Sequence, residues 1–365
     1  MTKLLYITNG VSGAGGLERV LSIKASALAD DFGYEVHILS LNAGGDNLFY
    51  PFSSKIKLHS IPVFGNPINY IKLYVDGMKR IVDEVQPDII SVCDDGLKAF
   101  FLPKILGKPC AMIYERHVSK IIAVGMNPSF FRKIAVAAQF KLMNILGRDY
   151  DKFVVLTNDN IAEWNLHNIA VIPNPLSFNP ERSSTLENKR VIAVGRQSYQ
   201  KGYDRLLKSW QIVNQRFPDW ELHIYGKYNA AEQLPAMAAE LKIEQTVRFF
   251  EPVKNIEDKY LDASIFVLSS RFEGFGMVLT EAMACGVPCV SYDCPCGPAD
   301  IISDGVDGYL VPNGDVNDFA QKVTTMIADT ALRVDMGRKA KRNVKRFQAD
   351  KIIVQWDNLF KSLLR

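Results

Sequence analysis

Two carboxylates eight residues apart, Glu273 and Glu281, flank the short turn Gly274-Phe275-Gly276 within residues 270–286. From Met277 to Cys285 the residues are good helix formers, Gly286 supplies a left-handed stop, and Pro288 prevents continuation. Glu273 therefore precedes a helix and Glu281 lies inside it. Helical residues are spread by about 100° each, so two acids at this spacing on one unbroken helix would not share a face. The glycine turn is what lets both address one ligand. It also lets backbone amides approach that ligand closely, and a helix start with its dipole favours oxygen-rich anions such as a diphosphate.

Three further groups carry residues of the same kind. Gly195-Arg196-Gln197-Ser198-Tyr199-Gln200-Lys201-Gly202 directly follows the apolar run 191–194. Arg196 can fork onto phosphate oxygens and Lys201 can act as a point charge beside them. By composition alone both would be solvated surface cations; their place after a strand favours the phosphate reading. Residues 10–19, Gly10-Val11-Ser12-Gly13-Ala14-Gly15-Gly16-Leu17-Glu18-Arg19, invite a dinucleotide reading. A Rossmann fingerprint starting at Gly13 fails at Glu18, and one starting at Gly10 fails at Ser12, so a nicotinamide cofactor is not supported. The loop either turns the chain or brings Gly15 and Gly16 near a phosphate or an acceptor. His117 follows the apolar run 111–114 in Tyr114-Glu115-Arg116-His117. A lone histidine is more often structural, but a strand end makes this one a cleft candidate.

The elements that must position these residues alternate regularly. Strands are expected at 4–8, 35–41, 56–61, 89–93, 111–114 and 153–157, with helical patterns at 17–29, 68–85, 97–106 and 130–146. Residues 171–180 hold three prolines and break the series. A second series follows, with strands at 190–194, 221–225, 247–249, 265–268 and 288–292 and helices at 203–217, 230–241, 256–261 and 277–285. Helical segments at 315–328, 331–346 and 351–364 end the chain. This grammar predicts an α/β protein of two doubly wound, Rossmann-like domains facing a cleft, with ligands outside the carboxyl ends of the strands. The domains are expected at 1–172 and 190–346, joined by a linker at 173–189. The C-terminal helix, 347–365, is placed to return to the N-terminal domain.

Composition removes several function classes. With 365 residues, 48% hydrophobic and 23% charged, the chain can build two cores. A net charge of +3 without a recognition motif argues against nucleic acid. No apolar stretch approaches the ~20 residues of a membrane span, and the N-terminus lacks export features, so a cytoplasmic enzyme is expected. Cys285, Cys289, Cys294 and Cys296 lack zinc-ribbon spacing and read as buried or loop thiols, and no metal is assigned. Asp149-Tyr150-Asp151 has an acid-any-acid spacing but precedes a strand, and reads as a solvated turn. Residues 129–147 mix Phe130, Phe131 and Phe140 with Arg132, Lys133 and Lys141, which suits packing on a sheet but leaves membrane-surface contact open. The basic run 338–346 reads as a solvated helix face. No serine hydrolase or Walker motif is present.

Together these motifs resemble the retaining glycosyltransferases of GT-B fold conventionally grouped as family four. The resemblance spans almost the whole chain and is most specific in residues 273–290, strong in 195–202, and supportive in 15–19, 173–175 and 304–315. It implies that Glu281 grips the nucleotide ribose, and that Glu273 and the backbone of Phe275, Gly276 and Met277 face the donor sugar. Arg196 and Lys201 would neutralise the leaving diphosphate, His117 would approach the sugar's hydroxymethyl group, and Gly15 and Gly16 would lie by the phosphates and acceptor. Transfer would proceed with retention and without a cofactor, the donor being a substrate. The variant 293–302, Asp-Cys-Pro-Cys-Gly-Pro-Ala-Asp-Ile-Ile, departs from the paired glycine of many members. It looks like a subgroup acting on N-acetylhexosamine-containing, lipid-linked glycans, which suggests a UDP-hexose or UDP-N-acetylhexosamine donor. The alternatives are a nucleotide-sugar epimerase or hydrolase, and a non-catalytic sugar-nucleotide-binding protein.

Overall fold

The near-continuous apolar runs become strands buried on both faces, as parallel sheets require. The computed structural model describes residues 1–13, 15–42, 48–124 and 129–364. The chain divides into two compact units, Met1–Ser177 with Ala349–Arg365, and Phe178–Gln348.

In the first unit β1 (Lys3–Thr8), β2 (Glu35–Leu41), β3 (Lys57–Ile61), β4 (Ile89–Cys93), β5 (Ala111–Glu115), β6 (Lys152–Val155) and β7 (Ile169–Val171) form one sheet. Its order is β3-β2-β1-β4-β5-β6-β7, and every pairing is parallel. In the second unit β8 (Arg190–Val194), β9 (Glu221–Tyr225), β10 (Val247–Phe250), β11 (Ile265–Leu268), β12 (Cys289–Asp293) and β13 (Gly308–Pro312) are ordered β10-β9-β8-β11-β12-β13, again all parallel. Each sheet reverses its winding once, between β1 and β4 and between β8 and β11. Loops leaving the two strands of a reversal diverge to opposite faces and leave a crevice at the carboxyl edge.

Each unit has its own core. Phe100, Tyr114, Phe153 and Trp164 cluster in the first; Trp210, Leu222, Ile265 and Phe319 are among the buried residues of the second. The last helix, Ala349–Leu363, belongs to the first unit. It buries Ile352, Ile353, Trp356 and Phe360, and its Asp357 accepts a 2.8 Å hydrogen bond from the Tyr34 hydroxyl.

Two strands lie outside the sequence expectation, β7 and β13. Neither carries the long β-branched run of a central strand: β7 has three half-buried residues, and β13 opens on Gly308 and closes on Pro312. A Cβ on Gly308 would come within 2.6 Å of the Cys289 carbonyl oxygen, so glycine is what lets β13 lie against β12.

Candidate active site

The reversal in the second sheet gathers the loops after β8 and β11. The first loop swings back through a short 3-10 turn, Tyr199–Lys201, into the helix Tyr203–Arg216. Gly202, at φ +62°, makes this corner, and a Cβ there would fall 2.2 Å from the Ser269 carbonyl oxygen. The loops are stitched together. The Arg271 amide donates to the Gln200 carbonyl, Gln200 Nε2 to the Phe272 carbonyl, and the Ser269 hydroxyl to the Lys201 carbonyl. Arg271 makes a two-pronged pair with Asp204 at 2.8 and 2.6 Å while its guanidinium lies 4.0 Å over the Tyr199 ring. The backbone of both loops is thereby held before any ligand arrives.

This scaffold brings Lys201 and Glu273 together. Lys201 Nζ donates to Glu273 Oε1 at 2.8 Å, and the Ser270 hydroxyl reaches the same oxygen at 2.6 Å. Both side chains are largely covered, at 16% and 8% exposure. Among the described residues Oε2 of Glu273 accepts no hydrogen bond, so one carboxylate oxygen is tethered and the other is available to a hydroxyl. A covered ion pair adds little to stability against its desolvation cost, but it presents a fixed positive and a fixed negative group side by side. Arg196, on the same loop, is exposed and makes no ion pair among the described residues.

Glu281 takes different surroundings. It lies in the helix Met277–Ala284, is 3% exposed, and accepts a 3.1 Å hydrogen bond from the Tyr260 hydroxyl. The two glutamates thus have separate partners. Gly276 caps the helix start at φ +92°, its carbonyl accepting the Leu279 amide and the Met277 and Val278 amides having no intrahelical acceptor. The Phe275 ring is buried edge-on to Phe347, so only its backbone borders the turn. The segment 294–297 backs this turn: the Pro295 carbonyl accepts from the Glu273 amide, and Gly297, at φ +132°, lies where a Cβ would meet the Phe275 carbonyl oxygen at 1.9 Å.

In the first unit, Gly15 caps and Gly16 begins the helix Gly16–Asp30. A Cβ on Gly13 or Gly15 would meet the Glu18 carboxylate at 2.4 Å, so the glycines make room for an acid folded back over the loop; Ala14 lies outside the described residues. His117 lies just past β5, with its Nε2 3.2 Å from Glu115 Oε2 and its Nδ1 buried without a hydrogen-bond partner among the described residues. Glu115 also bonds the buried Lys24, and it accepts the Ser91 hydroxyl at 2.5 Å. Burial pushes its carboxyl up, but Lys24 and His117 more than offset this and hold it at about 2.

Ser270, Arg271, Glu115 and Lys24 were not picked out by the sequence reading. Lys24 sits in an ordinary amphipathic pattern that gives no sign of burial, whereas Glu115, an acid ending an apolar strand beside a histidine, was a usable signal. Two other readings change in detail. Asp151 is not a merely solvated turn residue, since its carboxylate accepts the Met112 amide and pairs with Lys108 at 2.9 Å. The helix Phe130–Leu146 buries only Met143 and Leu146, while Phe130 and Phe131 stand 73% and 81% exposed. Cys285, Cys289, Cys294 and Cys296 are all buried. Among the described residues no helix is long and apolar enough to cross a membrane.

The family described as Glycosyl transferases group 1 matches residues 178–343, which include the whole Lys201–Glu273 arrangement. A lipopolysaccharide 1,6-galactosyltransferase of Salmonella typhimurium is 33% identical over 349 residues, 89% of this chain and 90% of that protein. The amylovoran biosynthesis glycosyltransferase AmsD of Erwinia amylovora is 29% identical over 374 residues, 98% of this chain and 99% of its own. In structure the chain is similar to a mutant of S. aureus TarM in complex with fondaparinux, alpha-GlcNAc-glycerol and UDP. The TM-score is 0.80 at 16% identity, covering 99% of this chain and 100% of the other.

Proposed function

The chain belongs to the group 1 glycosyl transferases, with their GT-B fold, and from that premise we propose that it moves a hexose or N-acetylhexosamine from a UDP-sugar to a glycan or lipid-linked glycan during polysaccharide or glycoconjugate synthesis. The observation that carries the proposal is the ion pair between Lys201 and Glu273 at the winding reversal of the second sheet. An α/β sheet binds its ligand at such a reversal, and a sugar nucleotide needs what the pair offers, a cation for the phosphates and an acceptor for sugar hydroxyls.

In this reading Lys201 and Arg196 neutralise the leaving diphosphate, doing with side chains what a divalent cation does elsewhere, so no metal cofactor is required. The amides of Phe275, Gly276 and Met277 and the free oxygen of Glu273 hold the transferred sugar, and Glu281 holds the ribose. His117 receives the sugar's hydroxymethyl group. Gly15 and Gly16 border the acceptor: with the Glu18 carboxylate folded over their loop, a hydroxyl-rich ligand suits it better than a second anion. Transfer with retention fits a carboxylate placed to stabilise positive charge on the sugar, the leaving phosphate taking the acceptor proton.

A cytoplasmic location at the membrane face suits a lipid-linked acceptor. Phe130 and Phe131, exposed beside Arg132 and Lys133 on a helix without an acidic residue, are suited to an anionic lipid surface. Mass spectrometry of products from a panel of UDP-sugars and glycan or glycolipid acceptors tests the function. A glycosylated acceptor is expected; a free epimer or free sugar with no acceptor product would favour the epimerase or hydrolase instead.

A further inference from the structure

Glu115 occupies the carboxyl end of β5 at 1% exposure and is faced by three side chains. Lys24, from the helix Gly16–Asp30, and His117 both address its Oε2; Ser91, from β4, addresses Oε1. Lys24 is itself 1% exposed, with its ammonium 3.9 Å from the centre of the Trp356 ring and 4.9 Å from that of Tyr6. Trp356 comes from the C-terminal helix. Nearby, Asp95 approaches the His117 amide at 3.4 Å, and Arg116 turns away to the carbonyls of Asp95 and Val118.

A metal reading of this cluster fails on its chemistry. Ligand atoms of Cys93, Glu115 and His117 lie within 4.8 Å of one another. The carboxylate is nevertheless already matched by a buried ammonium and a hydroxyl, and burial keeps the Cys93 thiol protonated. A cation would have to displace the buried Lys24 ammonium from its pairing with Glu115.

What remains is a constraint on the imidazole. An ionised carboxylate only accepts hydrogen bonds, so the ring nitrogen facing it carries the proton. In the neutral ring, Nδ1 is then a bare acceptor, and it is the buried nitrogen without a partner among the described residues. We propose that Glu115 is a positioning residue that receives the Nε2–H of His117 and fixes the tautomer whose Nδ1 accepts a hydrogen bond from a substrate hydroxyl, with Lys24 and Trp356 holding the carboxylate in place. The tautomer stands on the geometry of the first unit alone; the identity of the hydroxyl rests on the proposed contact between His117 and the sugar's hydroxymethyl group.

Nitrogen-15 NMR of the full chain labelled at histidine tests the tautomer without any assay, with His117→Asn assigning the signals. The Nε2–H form is expected, and an Nδ1–H form or an even mixture would overturn the proposal. Removing Glu115 alone strands a buried ammonium and endangers folding, so the companion variant is Lys24→Met with Glu115→Leu, which removes both charges at similar volume. In that folded variant the tautomers should mix. Its preference for a donor bearing the 6-hydroxyl over the 6-deoxy donor should fall by roughly 10-fold, the equivalent of one hydrogen bond, while UDP affinity holds. An unchanged tautomer in the folded variant overturns the positioning role. A wild-type Nε2–H tautomer with no preference for the 6-hydroxyl upholds that role and removes the sugar contact instead.

Discussion

Glu273 and Glu281 are the same side chain in different surroundings, and their surroundings divide their work. Glu273 is tethered at one oxygen by Lys201 and Ser270 and open at the other, whereas Glu281 is buried against the Tyr260 hydroxyl. Glu273→Gln keeps the shape but removes the charge, so it should lower kcat by roughly 100-fold, in the range of losing one electrostatic stabiliser of the transition state. Glu281→Gln should act mainly on donor KM, by roughly 10-fold. Steady-state kinetics with a varied donor separates the two, and the reverse pattern would exchange their roles. Glu273, Arg196, Lys201 and His117 were singled out in the sequence because each follows a strand end, and Glu281 because it lies in the helix that the glycine turn opens. The grip of Lys201 on Glu273 could not be read there, since the two lie 72 positions apart and meet only through the pairing of β8 with β11 and the bonds between the loops that follow.

At the scale of elements, central strands and their helices announce themselves by pattern, and the edges do not. The central strands were readable from their apolar runs, but β7 and β13 depend on a neighbour's exposed edge more than on their own residues. The corners show where sequence spacing acquires geometric force. Gly202 combines a left-handed backbone with a close approach to the Ser269 carbonyl, so Gly202→Ala should destabilise the second unit by about 1–3 kcal/mol. Gly305 has a similar φ of +70° and nothing near its missing Cβ, so Gly305→Ala should show only the backbone part of that effect. Urea unfolding of both variants checks this; equal midpoints would mean that the contact between the β8 and β11 loops is not tight. Because that contact also sets Lys201, Gly202→Ala alone should weaken donor binding.

In the molecule as a whole, the chain builds the same winding twice and then sends its last helix back to the first unit. The sequence reading allowed for that return but not for its packing, because Trp356 reports nothing in sequence of the buried Lys24 it covers. The Lys24–Glu115 pair ties that unit to pH. The Glu115 carboxyl is held at about 2 in the folded protein against an ordinary 4.5, so its contribution to stability is full above 4.5 and is lost as pH falls toward 2. Urea midpoints across that window should fall less steeply in the Lys24→Met, Glu115→Leu variant than in the native chain; identical slopes would remove Glu115 from the acid response. The central claim, that the loops after β8 and β11 hold the diphosphate of a sugar nucleotide, is tested most directly by calorimetric titration of the full chain and its Lys201→Ala variant with UDP and with uridine. The native chain should bind UDP, and Lys201→Ala should weaken that binding roughly 10- to 100-fold while leaving uridine affinity unchanged. Equal affinity of the native chain and a folded Lys201→Ala variant for UDP would contradict it.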